Sequence, residues 1–379
     1  MVAIANPRSF EYKTVKIGDL KVVDRKVETG RPVVDSILIN DEPLNPTSRF
    51  WNSLYSRFSF GKSFFKYFSH EEVFNRISDV ESNKSLRLCV ERDGENNGRL
   101  MAVSNPAKPV VKYDDLMEQL ESYDSQDVTY LNGIVQSTHS PRIGGNDFDI
   151  AGDQFSNQFL MDTPVDGYGR PNIYLSLLRE VCSNGLVGFS RAFRSSLSLG
   201  SGDDNPQFAI SRALEGFGND EGFAALRQRF QAAARSWASV HEVESFHKKL
   251  LGLIVRNQFK SGSRFNDNAS LEHPVIAKFN ELTGDISQLY GIASVDALSS
   301  KRQKSLPARC TVYDLLNFTS ELATHHLRNE GARTIQAAIG TLISNEFDLE
   351  NSIDSFGEFK DFFVSRRVDG QVVESEVAV

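Results

Sequence analysis

The pattern of apolar and polar positions first becomes regular at Val33-Val34-Asp35-Ser36-Ile37-Leu38-Ile39, a β-branched run that predicts a strand closed by Pro43 and Pro46. Ser48 then stands where a helix cap belongs. Phe50, Trp51, Leu54, Tyr55 and Phe58 follow at the i, i+1, i+4, i+5, i+8 spacing of one helical face. Ser69 and Glu72 form a capping box ahead of Val73, Phe74 and Ile77, so a second short helix starts there. Leu86 to Arg92 and Arg99 to Ser104 flank a Gly/Asn turn and predict a hairpin. Tyr113 to Tyr123 reads as a short acidic helix, and Asp127 to Ser137 and Gln154 to Met161 as further strands. The apolar run Ile173, Leu175, Leu177, Leu178, Val181 stops at Asn184-Gly185, a pair suited to positive φ and so to a tight reversal.

From about Pro206 the period changes. Ala209, Leu214, Phe217, Phe223, Leu226, Phe230, Ala234 and Trp237 recur at helical spacing, broken at Gly216-Phe217-Gly218. Ser239 and Glu242 make a second capping box, opening a helix through Val243, Phe246, Leu250, Leu253 and Ile254. Thr311 to Arg328 and Glu330 to Glu346 predict two more. These elements predict an α+β fold: a mixed or antiparallel sheet with helices in residues 1–205, a mainly helical region over 206–365 packed on it, and a flexible acidic tail at 366–379.

Composition narrows the class without naming a reaction. In 379 residues, 40% are hydrophobic and 24% charged, which excludes disorder as the dominant state. No apolar run approaches the ~20 residues of a membrane span, and no secretory signal is visible at the N-terminus. Cys89, Cys182 and Cys310 are scattered, with no CxxC pair, which argues against a disulfide framework or structural zinc. A cytoplasmic protein is expected. The net charge of −8 disfavours coating of nucleic acid by the whole surface, but the charge is segregated. Asp114, Asp115, Glu118, Glu121, Asp124 and Asp127 lie in a stretch without a base. Lys248, Lys249, Arg256, Lys260 and Arg264 lie between Ser245 and Asn266 without an acid, as do Lys301, Arg302, Lys304 and Arg309 between Ser299 and Tyr313.

Enzyme motifs are weak. Glu244-Ser245-Phe246-His247 is a single E-x-x-H where a di-iron bundle needs two with further glutamates, so an ordinary solvated helix face is favoured over a metal. Gly61-Lys62-Ser63 lacks the first glycine of a P-loop. Cys182 has no histidine nearby in sequence and reads as a core thiol. No metal and no cofactor is implied. Backbone binding to nucleic acid needs Lys and Arg along a groove, with aromatics on which bases stack. Arg191, Phe193 and Arg194 form one basic-aromatic cluster, and Lys260, Arg264 and Phe265 another.

Two segments bring a family into view. Gly152-Asp153, Asp162 to Gly169 and Leu178 to Leu186, with Arg179, Cys182, Asn184 and Gly185, resemble the central "GD … DG … R-V-C-x-N" signature of the phage/plasmid-like proteins grouped as domain of unknown function 932. Tyr313 to His326, with Asn317, Glu321 and His325, is similar to that family's C-terminal "W-x-L-L-N-A-x-T-E-x-x-x-H" helix, Tyr313 standing for the tryptophan of a divergent member. The resemblance implies a role near DNA processing on phages, plasmids and related elements, and it assigns no activity. For the motif residues themselves a structural role is favoured: Asp166-Gly167 and Asn184-Gly185 shaping turns, Arg179 satisfying buried carbonyls, Glu321 with His325 tying down the C-terminal helix.

Taken together, these readings lead to the expectation of a non-catalytic DNA-binding protein of phage or mobile-element metabolism, acting in single-strand binding or annealing during recombination. Arg191, Arg194, Lys248, Lys249, Lys260, Arg264, Lys301, Arg302 and Lys304 would contact phosphates, and Phe193 and Phe265 would stack on bases. Two rivals stay open. One is a homo-oligomer without a ligand, in which the acidic 114–127 segment of one copy meets the basic segments of another. The other is an enzyme built around Cys182, Arg179 and Asp166.

Overall fold

Asn40 and Asp41 take positive φ, 48° and 65°, so the strand over residues 33–39 folds straight back on itself instead of ending at Pro43. Pro43 pairs opposite Leu38 in the resulting hairpin. The computed structural model describes residues 8–28, 31–61, 67–93, 98–123, 125–141, 148–179, 184–187, 194–200, 205–217, 220–266 and 272–345. Cys182, Arg191, Phe193 and the tail at 366–379 lie outside them.

The chain opens with β1 (Arg8–Lys16), β2 (Lys21–Glu28), β3 (Arg31–Ile39) and β4 (Glu42–Pro46), then α1 (Ser48–Arg57), α2 (His70–Val80), β5 (Ser85–Asp93) and β6 (Gly98–Ser104). These strands form a six-stranded sheet of order β1-β5-β6-β4-β3-β2, mixed because β4 runs parallel to β6. The apolar stripes of α1 and α2 bury Phe50, Leu54, Phe74 and Ile77 in one core with Ile37, Leu44, Leu88, Val90 and Leu100 of the sheet. The cap of α1 is Thr47, one residue before the expected Ser48, and its side chain accepts from Phe50 N. Ser69 and Glu72 make the expected capping box on α2.

After α3 (Tyr113–Ser122), the single strand expected over 127–137 is a hairpin, β7 (Gln126–Leu131) and β8 (Ile134–His139), turned at Asn132-Gly133 with both residues at positive φ. There follow β9 (Phe148–Ile150), β10 (Asp153–Pro164), β11 (Asn172–Arg179), β12 (Asn184–Val187) and β13 (Arg194–Ser196). Arg179 pairs opposite Asn184 in the antiparallel β11–β12 ladder, so Asn184 and Gly185 are strand residues and not the turn expected there. Residues 180–183, between the two strands, lie outside the described residues.

The helical part comprises α4 (Asn205–Gly216), α5 (Asp220–Ala234), β14 (Trp237–Ser239), α6 (Val240–Val255), α7 (Pro274–Thr283), α8 (Ile286–Tyr290), α9 (Ser300–Ser305), β15 (Pro307–Thr311), α10 (Val312–Glu321), a π-helical turn over Leu322–His326 and α11 (Asn329–Asn345). The fold is thus α+β, strand-rich in its N-terminal half and more helical in its C-terminal half. No helix among the described residues is long and apolar enough to cross a membrane.

Two compact units divide the chain, and not at residue 205. One comprises residues up to His139 with Met161–Ile173 and Ser196–Phe217; the other comprises Ser140–Leu160, Tyr174–Ser195 and the residues from Gly218 on. The change of texture near Pro206 marks where strands give way to helices. The contacts part elsewhere, because β10 and β11 each run from one unit into the other.

Candidate nucleic-acid interface

α6 organises the second unit. Ser239 caps it, accepting from Glu242 N at 3.1 Å while Glu242 Oε2 accepts from Ser239 N at 2.6 Å, both residues buried. Its inner stripe buries Val243, Phe246, Leu250 and Leu253. Another stripe carries His241, Ser245, Lys248, Lys249 and Arg256, spread over about 22 Å at 1.5 Å per residue. Val240 N donates to Leu306 O at 2.9 Å, which anchors the C-terminal end of α9 at the first turn of α6. Ser299 caps α9 by accepting from Arg302 N, and Lys301 and Arg302 are exposed on it.

Between α6 and α11 lies a cleft of about 410 Å³. His241, Glu242, Ser245, Phe246 and Lys249 line it from α6, and Thr334, Ala337, Ala338 and Leu342 from α11. Of the cations expected to bind DNA Lys249 lines it, and the others differ from it in their partners. Lys248 Nζ lies 3.2 Å from Glu244 and 3.7 Å from Asp296, so its charge is largely answered. Among the described residues Lys249, Lys301 and Arg302 have no acidic side chain within ion-pair distance. Burial first, then the positive charges of Lys304 and Lys248, hold His241 below the ordinary imidazole value, which places both lysines within electrostatic reach of the cleft.

The other expected cluster is built differently. Phe259 and Phe265 are buried, with ring centroids 6.3 Å apart, and Phe265 sits edge-on to His326 at 4.9 Å. A ring 3% exposed offers no face to a base, so Phe265 is a core residue and not a stacking platform. Lys260 Nζ donates to Thr324 O at 3.0 Å, and Arg264 donates to Glu321 at 2.6 Å while lying over the Phe265 ring. Glu321 also meets His326 at 3.7 Å, one residue beyond the exposed His325. These contacts pin the 259–266 loop to the end of α10. Arg194 is exposed on β13, and Asn317 is half-buried on α10. Glu244 of the E-x-x-H pairs with Lys248, and His247 stands 3.9 Å away. Among the described residues no group of three His, Cys, Asp or Glu side chains could hold a metal ion.

In the first unit Asp166 is 1% exposed, and its carboxylate receives Arg49 Nε, Arg49 Nη2 at 2.9 Å and Tyr168 N at 3.0 Å. Burial raises its pKa more than Arg49 and the amide lower it. Gly133, at φ +81°, faces this pair so closely that a Cβ would stand 2.5 Å from Asp166 Oδ2. Such a carboxylate is enclosed by its own partners. Burial likewise raises the thiols of Cys89 and Cys310, which makes them poor nucleophiles.

Sequence patterning marked Glu242, Phe246 and Lys249 separately, as a cap residue, an apolar helix position and a cation, and did not show that they line one cleft. Thr334, Ala337, Ala338 and Leu342 are small or apolar helix residues that carry no local sign of lining a cleft. No family model, curated protein or solved structure matches this chain.

Proposed function

We propose that this protein binds single-stranded DNA without catalysing a reaction, using Lys249 at the α6–α11 cleft and the exposed Lys301 and Arg302 of α9, the helix anchored at the first turn of α6. One observation carries this reading: Lys249, Lys301 and Arg302 have no acidic partner among the described residues, whereas Lys248, Lys260 and Arg264 are already engaged. A cation without a counter-ion can neutralise a phosphate and release the ions condensed on the strand. The family resemblance supplies the setting, DNA metabolism of phages or mobile elements.

The test is electrophoretic mobility of labelled single-stranded DNA, duplex DNA and RNA at two salt concentrations. Lys249→Glu and the double variant Lys301→Glu/Arg302→Glu should each weaken binding to single-stranded DNA. For the double variant the salt slope should fall by about 1.4, at ~0.7 per phosphate contact on a single strand. If both bind as wild type does, this surface is not the interface. A rival has its own support, since Asp114, Glu118 and Glu121 are exposed along α3. A salt-labile oligomer that ignores oligonucleotides would favour docking of that acidic face on another copy.

A further inference from the structure

Phosphate contacts explain the cations beside the cleft but not its interior. Phe246, Ala337, Ala338 and Leu342 give it an apolar wall, and a polyanion backbone has no use for one. Ser245, Thr334, His241 and the carboxylate of Glu242 add polar groups to that wall. Thr334 Oγ1 donates to Glu330 O at 2.9 Å, so the lone pairs of the hydroxyl remain to accept. A volume of about 410 Å³ falls in the range of pockets that enclose small organic ligands. A flat heteroaromatic ring with polar edges and an attached phosphate matches this combination: ring against the apolar wall, edges to the hydroxyls, phosphate to Lys249.

We propose that the α6–α11 cleft is a base pocket, which takes up one unstacked nucleobase of the bound strand and holds its phosphate at Lys249. The proposal rests on the DNA-binding reading above and sharpens it. Bases in a duplex are stacked and paired and cannot enter without disruption, so the pocket selects single strands. His241, kept neutral by burial and by its lysine neighbours, faces the ring without competing for the phosphate. Ring stacking and edge contacts, and not the phosphate alone, would then decide affinity.

Fluorescence anisotropy on the full-length chain tests this with three probes: a single-stranded oligonucleotide, the same oligonucleotide with abasic positions, and heparin as a polyanion without bases. Wild type should bind the intact strand about ten-fold more tightly than the abasic one, as expected for a single stacked base. Ala337 lines the cleft from an exposed position, so Ala337→Trp fills the space without disturbing the core. That variant should melt as wild type does and bind both strands at the abasic level, with heparin affinity and salt slope unchanged. Equal binding of intact and abasic strands by wild type, or a preference that survives in Ala337→Trp, overturns the base pocket while heparin binding leaves the backbone contacts standing. Failure of all three probes overturns both readings.

Discussion

Replacing Arg49 with leucine should destabilise the first unit by about 3–5 kcal/mol, the range for removing one partner of a buried ion pair. The Asp166 side chain is wholly buried and that of Arg49 is 17% exposed, so solvent screens little of the attraction. With charge centres ~4 Å apart and an effective dielectric of ~20, Coulomb's law gives about 4 kcal/mol, inside the same range. Arg49 also donates to Tyr168 O at 2.6 Å and lies 5.1 Å over the Tyr168 ring, so its loss frees the 166–168 turn as well.

The pH dependence distinguishes this mechanism from simple loss of packing. Burial already raises the Asp166 carboxyl, and Arg49 is the strongest influence opposing it. Without the guanidinium the folded-state pKa rises further above its unfolded value. Between those two values the folded state binds the extra proton, so stability falls as pH rises through that window. The deficit of Arg49→Leu relative to wild type should therefore be largest at pH 8 and shrink toward pH 5. Adding Asp166→Asn should recover part of it at neutral pH, since the buried charge is gone. Urea unfolding followed by far-UV circular dichroism at pH 5, 7 and 8 measures all three. A cost below about 1 kcal/mol at pH 7 would fall in the range of an exposed pair and would refute the assignment of Asp166 as an enclosed structural carboxylate.

Two further outcomes follow from buried polar groups. His139, buried with its ring nitrogens at Ser137 Oγ (2.8 Å) and Ser125 Oγ (3.3 Å), has its pKa lowered by burial to about 4. The unfolded chain takes up this proton first, so stability is complete above ~6.5 and falls by about 3 kcal/mol as pH drops through the folded value. His139→Gln should flatten that fall in urea midpoints between pH 7 and 4, and superimposable pH profiles would rule the residue out as its source. Ser239→Ala removes the cap of α6 and should cost about 1–2 kcal/mol. Amide hydrogen exchange in the first turn of α6 should quicken with it, and unchanged protection there would mean that Glu242 alone holds the turn.

What could be read from the sequence was local. Capping boxes at Ser69/Glu72 and Ser239/Glu242 placed two helix starts to the residue, because both partners lie within one turn of chain. The β5–β6 hairpin and the break after Gly216 were equally visible. Asn132-Gly133 is a strong hairpin signal that the surrounding β-branched residues obscured, so one strand was expected where two pair. Asn184-Gly185 misled in the opposite sense, since Asn184 stands in a ladder opposite Arg179. Of the cleft's α6 wall, Glu242, Phe246 and Lys249 were each legible, but as a cap, a core position and a cation and not as one wall. The other wall comes from α11, some 90 residues on, and no local pattern encodes which helix faces which.

Charge shows why the tertiary structure had to decide the site. Lys248 and Lys249 are neighbours in a segment that holds no acid from Ser245 to Asn266. A turn of about 100° per helical residue nevertheless separates them: Lys248 reaches Glu244, just outside that segment, and Asp296, while Lys249 lines the cleft. Arg264 finds its counter-ion 57 residues away, in Glu321. An acid-free run of sequence is therefore a statement about chain neighbours only, because folding supplies counter-ions from anywhere. The net charge of −8 is no better guide, since exposed charges beyond about 8 Å are largely screened at physiological salt. A phosphate at Lys249 would respond to the charges within that radius and hardly at all to the sum over the chain. Affinity for a strand thus turns on how many unanswered cations share one such neighbourhood, and not on the number of basic residues that the sequence offers.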